Sequence, residues 1–352
     1  VSPVESTAWR WPAEWERHAA SWLSWPHNHE TWPHKFVEVE AAMVKVAVAL
    51  SQVETVHINV LDAEHEAYVL ELLDAAADMH RIETHLVPTN DAWIRDHGAL
   101  IVTRRDGGRE RAALTFVYNA WGGKYAPFDL DARVASRMGE ILGVSCVAPG
   151  LVLEGGAIDG NGHGAILTTE QCLLESGRNA SLDRAGYEAA FARFLGASEI
   201  IWLHSGISGD DTDGHVDQLA RFVGPTRVVV AIEPDAADVN HAPLAANRRR
   251  LTATRLRTGE SLEVVDVPMP APVCRNGTRL PASYLNFYIA NELVLVPAFG
   301  CREDREALDT IAACFPERRL VPIDCRGFVE GLGGVHCLTQ QVPAIADGTA
   351  IS

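Results

Sequence analysis

The segment Gly331-Leu332-Gly333-Gly334-Val335-His336-Cys337-Leu338-Thr339-Gln340-Gln341 places a cysteine behind glycines and between apolar residues. That is the setting of an exposed nucleophile at the rim of a core strand, although a buried cysteine acting as a small hydrophobe has the same local look. Thiol catalysis needs the thiolate, and a free cysteine with a pKa of about 8.5 is mostly protonated at neutral pH unless a cation favours its charged form. Read as a strand, residues 335–338 send His336 to the face opposite Cys337, so the base has to come from elsewhere. Gly209-Asp210-Asp211-Thr212-Asp213-Gly214-His215-Val216-Asp217 offers it, with His215 and Asp217 two apart and on one face of an expected strand.

Two further clusters carry chemistry: Asn90-Asp91-Ala92-Trp93-Ile94-Arg95-Asp96-His97, and Leu153-Glu154-Gly155-Gly156. Carboxylates gathered beside a thiol cannot all stay ionised in a low-dielectric pocket without a compensating cation. A guanidinium group suits them, because its planar N–H donors pair with carboxylates in a forked geometry. The chemistry expected of such a pocket is attack of Cys337 on the guanidinium carbon. His215 serves as acid and then base, Glu154 orients His215 or the substrate, Asp96 and Asp217 hold the guanidinium nitrogens, and Trp93 borders the planar cation. A calcium loop at 210–217 fails on spacing: with Gly214 at the turn, the first ligand is Gly209 and the closing glutamate is Ala220. A zinc site from His215, Asp217 and a cysteine lacks any His-x-x-x-His or Cys-x-x-Cys spacing.

The elements that must bring these clusters together follow a rhythm. A Trp- and Pro-rich stretch, 1–34, reads as an irregular arm packed on the body. An amphipathic helix at 36–50 precedes a strand at 53–60, a helix at 64–77 and a strand at 82–87. Then comes a ββαβ pattern: strands at 98–103 and 112–117, a helix at 130–142 and a strand at 145–147. It recurs at 151–158, 164–168, 183–195 and 199–203; at 216–223, 227–232, 240–257 and 262–267; and at 284–290, 293–296, 303–314 and 319–323. The strand expected at 335–338 has no helix after it, and the N-terminal elements lack an opening hairpin partner, so the two ends are expected to complete one shared unit. Five such units can close around an axis. The clusters fall at matching places in the rhythm, which makes Asp96, Glu154, His215, Asp217 and Cys337 converge on one pocket. No linker divides the chain, and 1–352 reads as a single domain.

Composition narrows the function further. Lys and Arg number 30 against 47 Asp and Glu, a net charge of −17, which repels nucleic acid and anionic lipid and attracts a small cation. Seven cysteines without Cys-x-x-Cys pairing point to a reducing, cytoplasmic setting. No apolar run approaches the roughly 18 residues of a membrane span.

At these residues the chain resembles the agmatine deiminase family of the guanidine-modifying (pentein) superfamily, to which the bacterial peptidylarginine deiminase also belongs. The matching segments include Asn90–Asp96, Asn119-Ala120-Trp121-Gly122-Gly123, Leu153–Gly156, Leu167-Thr168-Thr169-Glu170-Gln171-Cys172-Leu173-Leu174, Thr212–Asp217, Asn286-Phe287-Tyr288-Ile289 and His336–Gln341. The resemblance implies a five-bladed α/β propeller, a nucleophile at Cys337, a Glu/His pair at Glu154 and His215, and guanidinium-binding aspartates at Asp96 and Asp217. It also implies no metal or organic cofactor, a homodimer, and conversion of agmatine to N-carbamoylputrescine and ammonia. The chain departs from the family's usual Trp-Pro-Glu-Arg at Trp25-Pro26-His27-Asn28, and from Gly-Gly-Gly-Asn at Gly331-Leu332-Gly333-Gly334. Both departures fall where the far end of the substrate is expected, which keeps free or peptidyl arginine as the alternative substrate.

Overall fold

The computed structural model describes residues 8–345. It is a mixed α/β fold with five sheets of three or four strands and one short hairpin among the described residues. The sheets share one plan. An antiparallel pair opens each, as in Leu100–Arg104 with Arg111–Leu114, Ile158–Gly160 with Ala165–Thr169, Ala220–Phe222 with Arg227–Ile232, and Tyr288–Ile289 with Leu293–Ala298. A helix then crosses over to a parallel third strand: Asp131–Ile141 to Ser145–Val147, Arg184–Leu195 to Glu199–Leu203, His241–Ala253 to Glu263–Pro268, and Glu303–Cys314 to Arg319–Asp324. Parallel neighbours cannot be joined by a tight turn, so the helix is the connection such a pair requires.

The fifth sheet joins the two ends of the chain. Gln340–Pro343 pairs antiparallel with His18–Ser24, which pairs in parallel with Thr55–Val60 and through it with Ile82–Leu86. The helices Phe36–Ser51 and Ala63–Asp74 serve its two crossovers. The expectation of an irregular arm therefore needs correction for the described part of 1–34. Trp9–Arg10 extends the first sheet against Thr103–Arg104, and His18–Ser24 is an interior strand. Ser21, Trp22, Leu23 and Ser24 are all fully buried. A strand covered on both faces carries no polar/apolar alternation, which is why periodicity did not reveal it.

A second correction recurs around the molecule. The spans expected as strands at 151–158, 216–223 and 335–338 each hold a single tight turn, Gly155–Ala157, Val216–Gln218 and His336–Leu338; the strands themselves begin at Ile158, Ala220 and Gln340, with an isolated parallel bridge at Val152. The first sheet has an equivalent turn at Ile94–His97, where the strand was expected to start at 98 and starts at Leu100. In the fourth sheet the strand expected at 284–290 is reduced to Tyr288–Ile289. The clusters do stand at corresponding positions, but on turns ahead of the opening strands. The main apolar core runs from Leu23 and Val39 through Leu167 and Val229 to Leu295 and Leu338. No helix among the described residues is long and apolar enough to cross a membrane.

Candidate active site

A cavity of about 930 Å³ opens beside these turns, with Cys337, Asp96, Trp93, Tyr118 and Trp121 on its inner wall. Cys337 is only 7% exposed. Its thiol lies 3.3 Å from Asn286 Nδ2, which donates to it, and 3.8 Å from Asp217 Oδ2. Asn286 Oδ1 also accepts from the Cys337 amide at 3.3 Å, so one side chain steadies both sulfur and backbone.

Of the six residues singled out in the sequence, Trp93, Asp96 and Cys337 line the cavity. Glu154, His215 and Asp217 form a buried layer directly behind it. His215 Nδ1 is 3.8 Å from Asp96 Oδ1, and its Nε2 is 4.0 Å from Glu154 Oε2. That Nε2 has no hydrogen-bond partner, and neither does Asp217 Oδ1. Two buried polar atoms held ready beside a thiol are unusual outside a functional site. The approach of these side chains depends on Gly156: a Cβ there would stand 2.6 Å from His215 Nδ1 and 2.9 Å from Asp96 Oδ1. Gly333 likewise leaves room for Trp93, because a Cβ there would fall 2.3 Å from Trp93 Cζ3.

Burial sets the charge state of the site. It pushes the Asp96 carboxyl well above its ordinary range, helped by Asp217 and Glu154 and opposed by the Gly156 amide and the Trp121 indole, each 3.0 Å away. Burial also raises Glu154, although Arg178 Nε donates to it at 3.1 Å. For Asp217 burial is outweighed by His336, which holds the carboxyl low. Burial depresses His215 to about 3, leaving a neutral imidazole. The Cys337 thiol is pushed well above its usual value by burial and by Asp217 and Asp96. The resting site thus holds a neutral thiol, a neutral base and more acid than its own cations balance, a state that an incoming cation would resolve.

Sequence reasoning missed several participants. His336 Nδ1 lies 2.7 Å from Asp217 Oδ2, and its Nε2 lies 2.8 Å from Glu14 Oε2. It had been directed away from the site by the strand expected at 335–338. Successive residues of a one-turn 3₁₀ helix diverge by about 120°, and that lets both His336 and Cys337 face inward. Glu14 is held in turn by Arg95 and Arg221. This accounts for Arg95, which is buried and also donates to the Gln340 and Gln341 side chains rather than to the cavity. Asn286 and Trp121 lie inside the segments that carried the family resemblance, and those segments were the available signal. Arg178, which joins Glu154 to Asp213 and to the Thr212 carbonyl, had none. The acidic run 210–217 is not gathered around one point. Asp210 accepts from the Thr212 and His215 amides, Asp211 from Tyr125, and Asp213 from Lys124 and Arg178.

The fold corresponds to that of a class of solved deiminases. The agmatine deiminase of Enterococcus faecalis, solved while catalysing its reaction, superposes with a TM-score of 0.91 at 29% identity, covering 98% of this chain and 99% of that one. A cysteine-to-serine agmatine deiminase of C. jejuni with substrate bound gives 0.85 at 29% identity, covering 95% and 96%. The chain belongs to the Porphyromonas-type peptidyl-arginine deiminase family, whose match spans residues 10–343. The agmatine deiminase of Stutzerimonas stutzeri (strain A1501) is 37% identical over 356 residues, with 95% of each chain covered.

Proposed function

We propose that this protein is a hydrolase that deiminates agmatine, giving N-carbamoylputrescine and ammonia. The observation that carries this reading is the placement of a buried thiol and an unpartnered imidazole against two carboxylates, at the inner end of a cavity. The substrate guanidinium sits against Asp96 and Asp217 with Trp93 along its plane. Its charge favours the thiolate, and the thiol proton passes to His215. The sulfur then bonds to the guanidinium carbon. The C–N bond to one terminal nitrogen breaks, and His215 returns its proton to the departing ammonia. His215 next takes a proton from water, which attacks the thiouronium carbon; the C–S bond breaks, and the ureido product leaves a restored thiol. Glu154, fixed by Arg178, faces His215 Nε2 and stabilises the imidazolium stages.

Agmatine is preferred over arginine because the cavity presents mainly acid. Asp91, Asp131 and Asp211 line it along with Asp96, and like charge disfavours an α-carboxylate. The second reading, a substrate with a carboxylate or peptide group, draws on Arg275, the one arginine lining the cavity among the described residues, whose Nη1 donates to the Glu330 carbonyl at 3.0 Å. His27, Asn28 and Leu332, where the chain departs from the family's usual residues, lie on the same cavity. The deciding measurement is kcat/KM for agmatine, arginine, argininamide and a peptide carrying internal or C-terminal arginine. Preference for any of the last three would overturn the agmatine assignment and leave the deiminase chemistry standing.

The five sheets are read as blades around a pseudo-fivefold axis within a single domain. The repeated plan and the equivalent turns support this. A homodimer is expected in solution, to be checked by sedimentation. A reducing, cytoplasmic setting is supported by the seven cysteines, all of them free thiols.

A further inference from the structure

Away from the cavity, three side chains with metal-ligating atoms meet on one face of the fifth sheet. His57 on Thr55–Val60 is the register partner of Glu83 on Ile82–Leu86, and His85 lies two residues beyond Glu83 on the same face. His57 Nδ1 is 2.9 Å from His85 Nε2 and 3.4 Å from Glu83 Oε2. The ligand atoms of all three lie within 4.8 Å of one another. None of the three lines the cavity that holds Cys337.

The two rings are held in place by packing. Trp22, the register partner of His57 on the other side, lies against His57 with centroids 4.4 Å apart and stacks on His85 at 5.3 Å. Its own indole donates to Asn59 Oδ1 at 2.9 Å. A buried tryptophan thus fixes the plane of both imidazoles, and the more exposed Glu83 completes the set from the edge strand.

We propose that His57, Glu83 and His85 form a binding site for a divalent transition-metal ion of the zinc type. Two donor atoms each about 2.1 Å from one ion stand about 3.0 Å apart at a right angle and about 3.4 Å apart at the tetrahedral angle. The His57–His85 and His57–Glu83 separations match these spans. Two imidazoles and one carboxylate select zinc, nickel, cobalt or copper over calcium and magnesium, which require more oxygen ligands. Without an ion the two ring nitrogens can share only one proton between them. An ion uses both lone pairs and ties the edge strand Ile82–Leu86 to its neighbour. The Arg111 guanidinium close to His57 lowers the affinity, so binding in the micromolar range is expected.

The test is a titration of Co²⁺ into the chelator-stripped intact protein, followed by visible absorption and by competition with Zn²⁺. One equivalent of cobalt with an oxygen/nitrogen spectrum is expected, together with a Tm rise of a few degrees on zinc addition. His85→Ala should remove the spectrum and the Tm rise while leaving agmatine turnover unchanged. Glu83→Gln, a nearly isosteric change at an exposed side chain, should weaken cobalt binding at least about tenfold. Loss of activity on adding zinc is not the readout, because Glu154, Cys172 and His215 form another set of potential ligands behind the cavity. Equal binding by wild type and both variants, a thiolate charge-transfer band, or no cobalt bound at stoichiometric concentration would each overturn the proposal.

Discussion

His336 Nδ1 lies 2.7 Å from Asp217 Oδ2, one residue before the thiol that Asp217 faces, and the same ring reaches Glu14 from Nε2. The ring thus bridges two buried carboxylates, one of them beside the nucleophile. The hydrogen bond from His336 outweighs burial and holds Asp217 low, while burial and its acidic neighbours drive Asp96 toward its neutral form. His336 is therefore a positioning residue acting through Asp217. His336→Ala should lower kcat/KM for agmatine by about 10- to 100-fold, the range for a hydrogen bond to a charged group. The acid limb of the pH–rate profile should move to higher pH as Asp217 loses what holds it low. His336→Asn, which keeps a donor toward Asp217, should recover part of the rate. A profile that stays in place in all variants would mean the ring only supports the fold.

Burial and two carboxylates raise the Cys337 thiol in the free protein. Alkylation by iodoacetamide should consequently keep accelerating past pH 9, with no plateau near neutrality. Asp217→Asn removes a negative neighbour and should speed alkylation at any fixed pH, although agmatine turnover falls. Cys337→Ala should reduce turnover by about 10⁴-fold or more. Peptide mapping after inactivation with a haloacetamidine should find the label on Cys337; labelling of a different cysteine would sink the assignment.

Gly156→Ala forces a methyl group into the space between His215 and Asp96. Displacing reacting groups by a fraction of an ångström costs rate more than stability, so kcat should fall by about 100-fold with a stability loss of about 1–3 kcal/mol. Kinetics and thermal melts on the same preparation separate the two effects. An unchanged kcat would show that the close approach is not used.

His27, on the cavity wall, is depressed to about 4 by burial and by His65. The folded protein holds it neutral while the unfolded chain binds a proton below about pH 6.5. Its contribution to stability is complete above that pH and is lost as pH falls toward 4, up to about 3 kcal/mol. Denaturant titrations from pH 7 to 4 should therefore show a shallower acid loss for His27→Asn than for wild type. Asp91, raised to about 6 mainly by burial, changes stability in the opposite sense over this window, so the wild-type-minus-variant difference is the quantity to read.

The aspartates at 210, 211 and 213 are engaged by turn amides, Tyr125, Lys124 and Arg178. Exhaustive chelation should leave agmatine turnover unchanged. Loss of turnover, restored by a divalent ion, would favour a metal-activated water over the cysteine mechanism.

The sequence by itself determined the repeat, the joining of the two chain ends in one sheet, and the positions of Asp96, Glu154, His215, Asp217 and Cys337 within it. Hydrophobic periods of two and about four residues are local properties, and polar clusters recurring at the same phase of a repeat need only the order of elements to be placed. The three-dimensional packing decided what surrounds those positions. The interior strand His18–Ser24 was hidden because both of its faces are covered. The one-turn helices that carry Asp96, Asp217 and Cys337, with Glu154 and His215 just ahead of two of them, differ from the start of a strand only in a few backbone angles, and glycines tolerate either. Glu14, Arg178, Asn286 and His336 join the site through partners from 24 to 322 residues away along the chain. A buried charge is stable only with its partner in place, and that pairing is settled by how the sheets assemble.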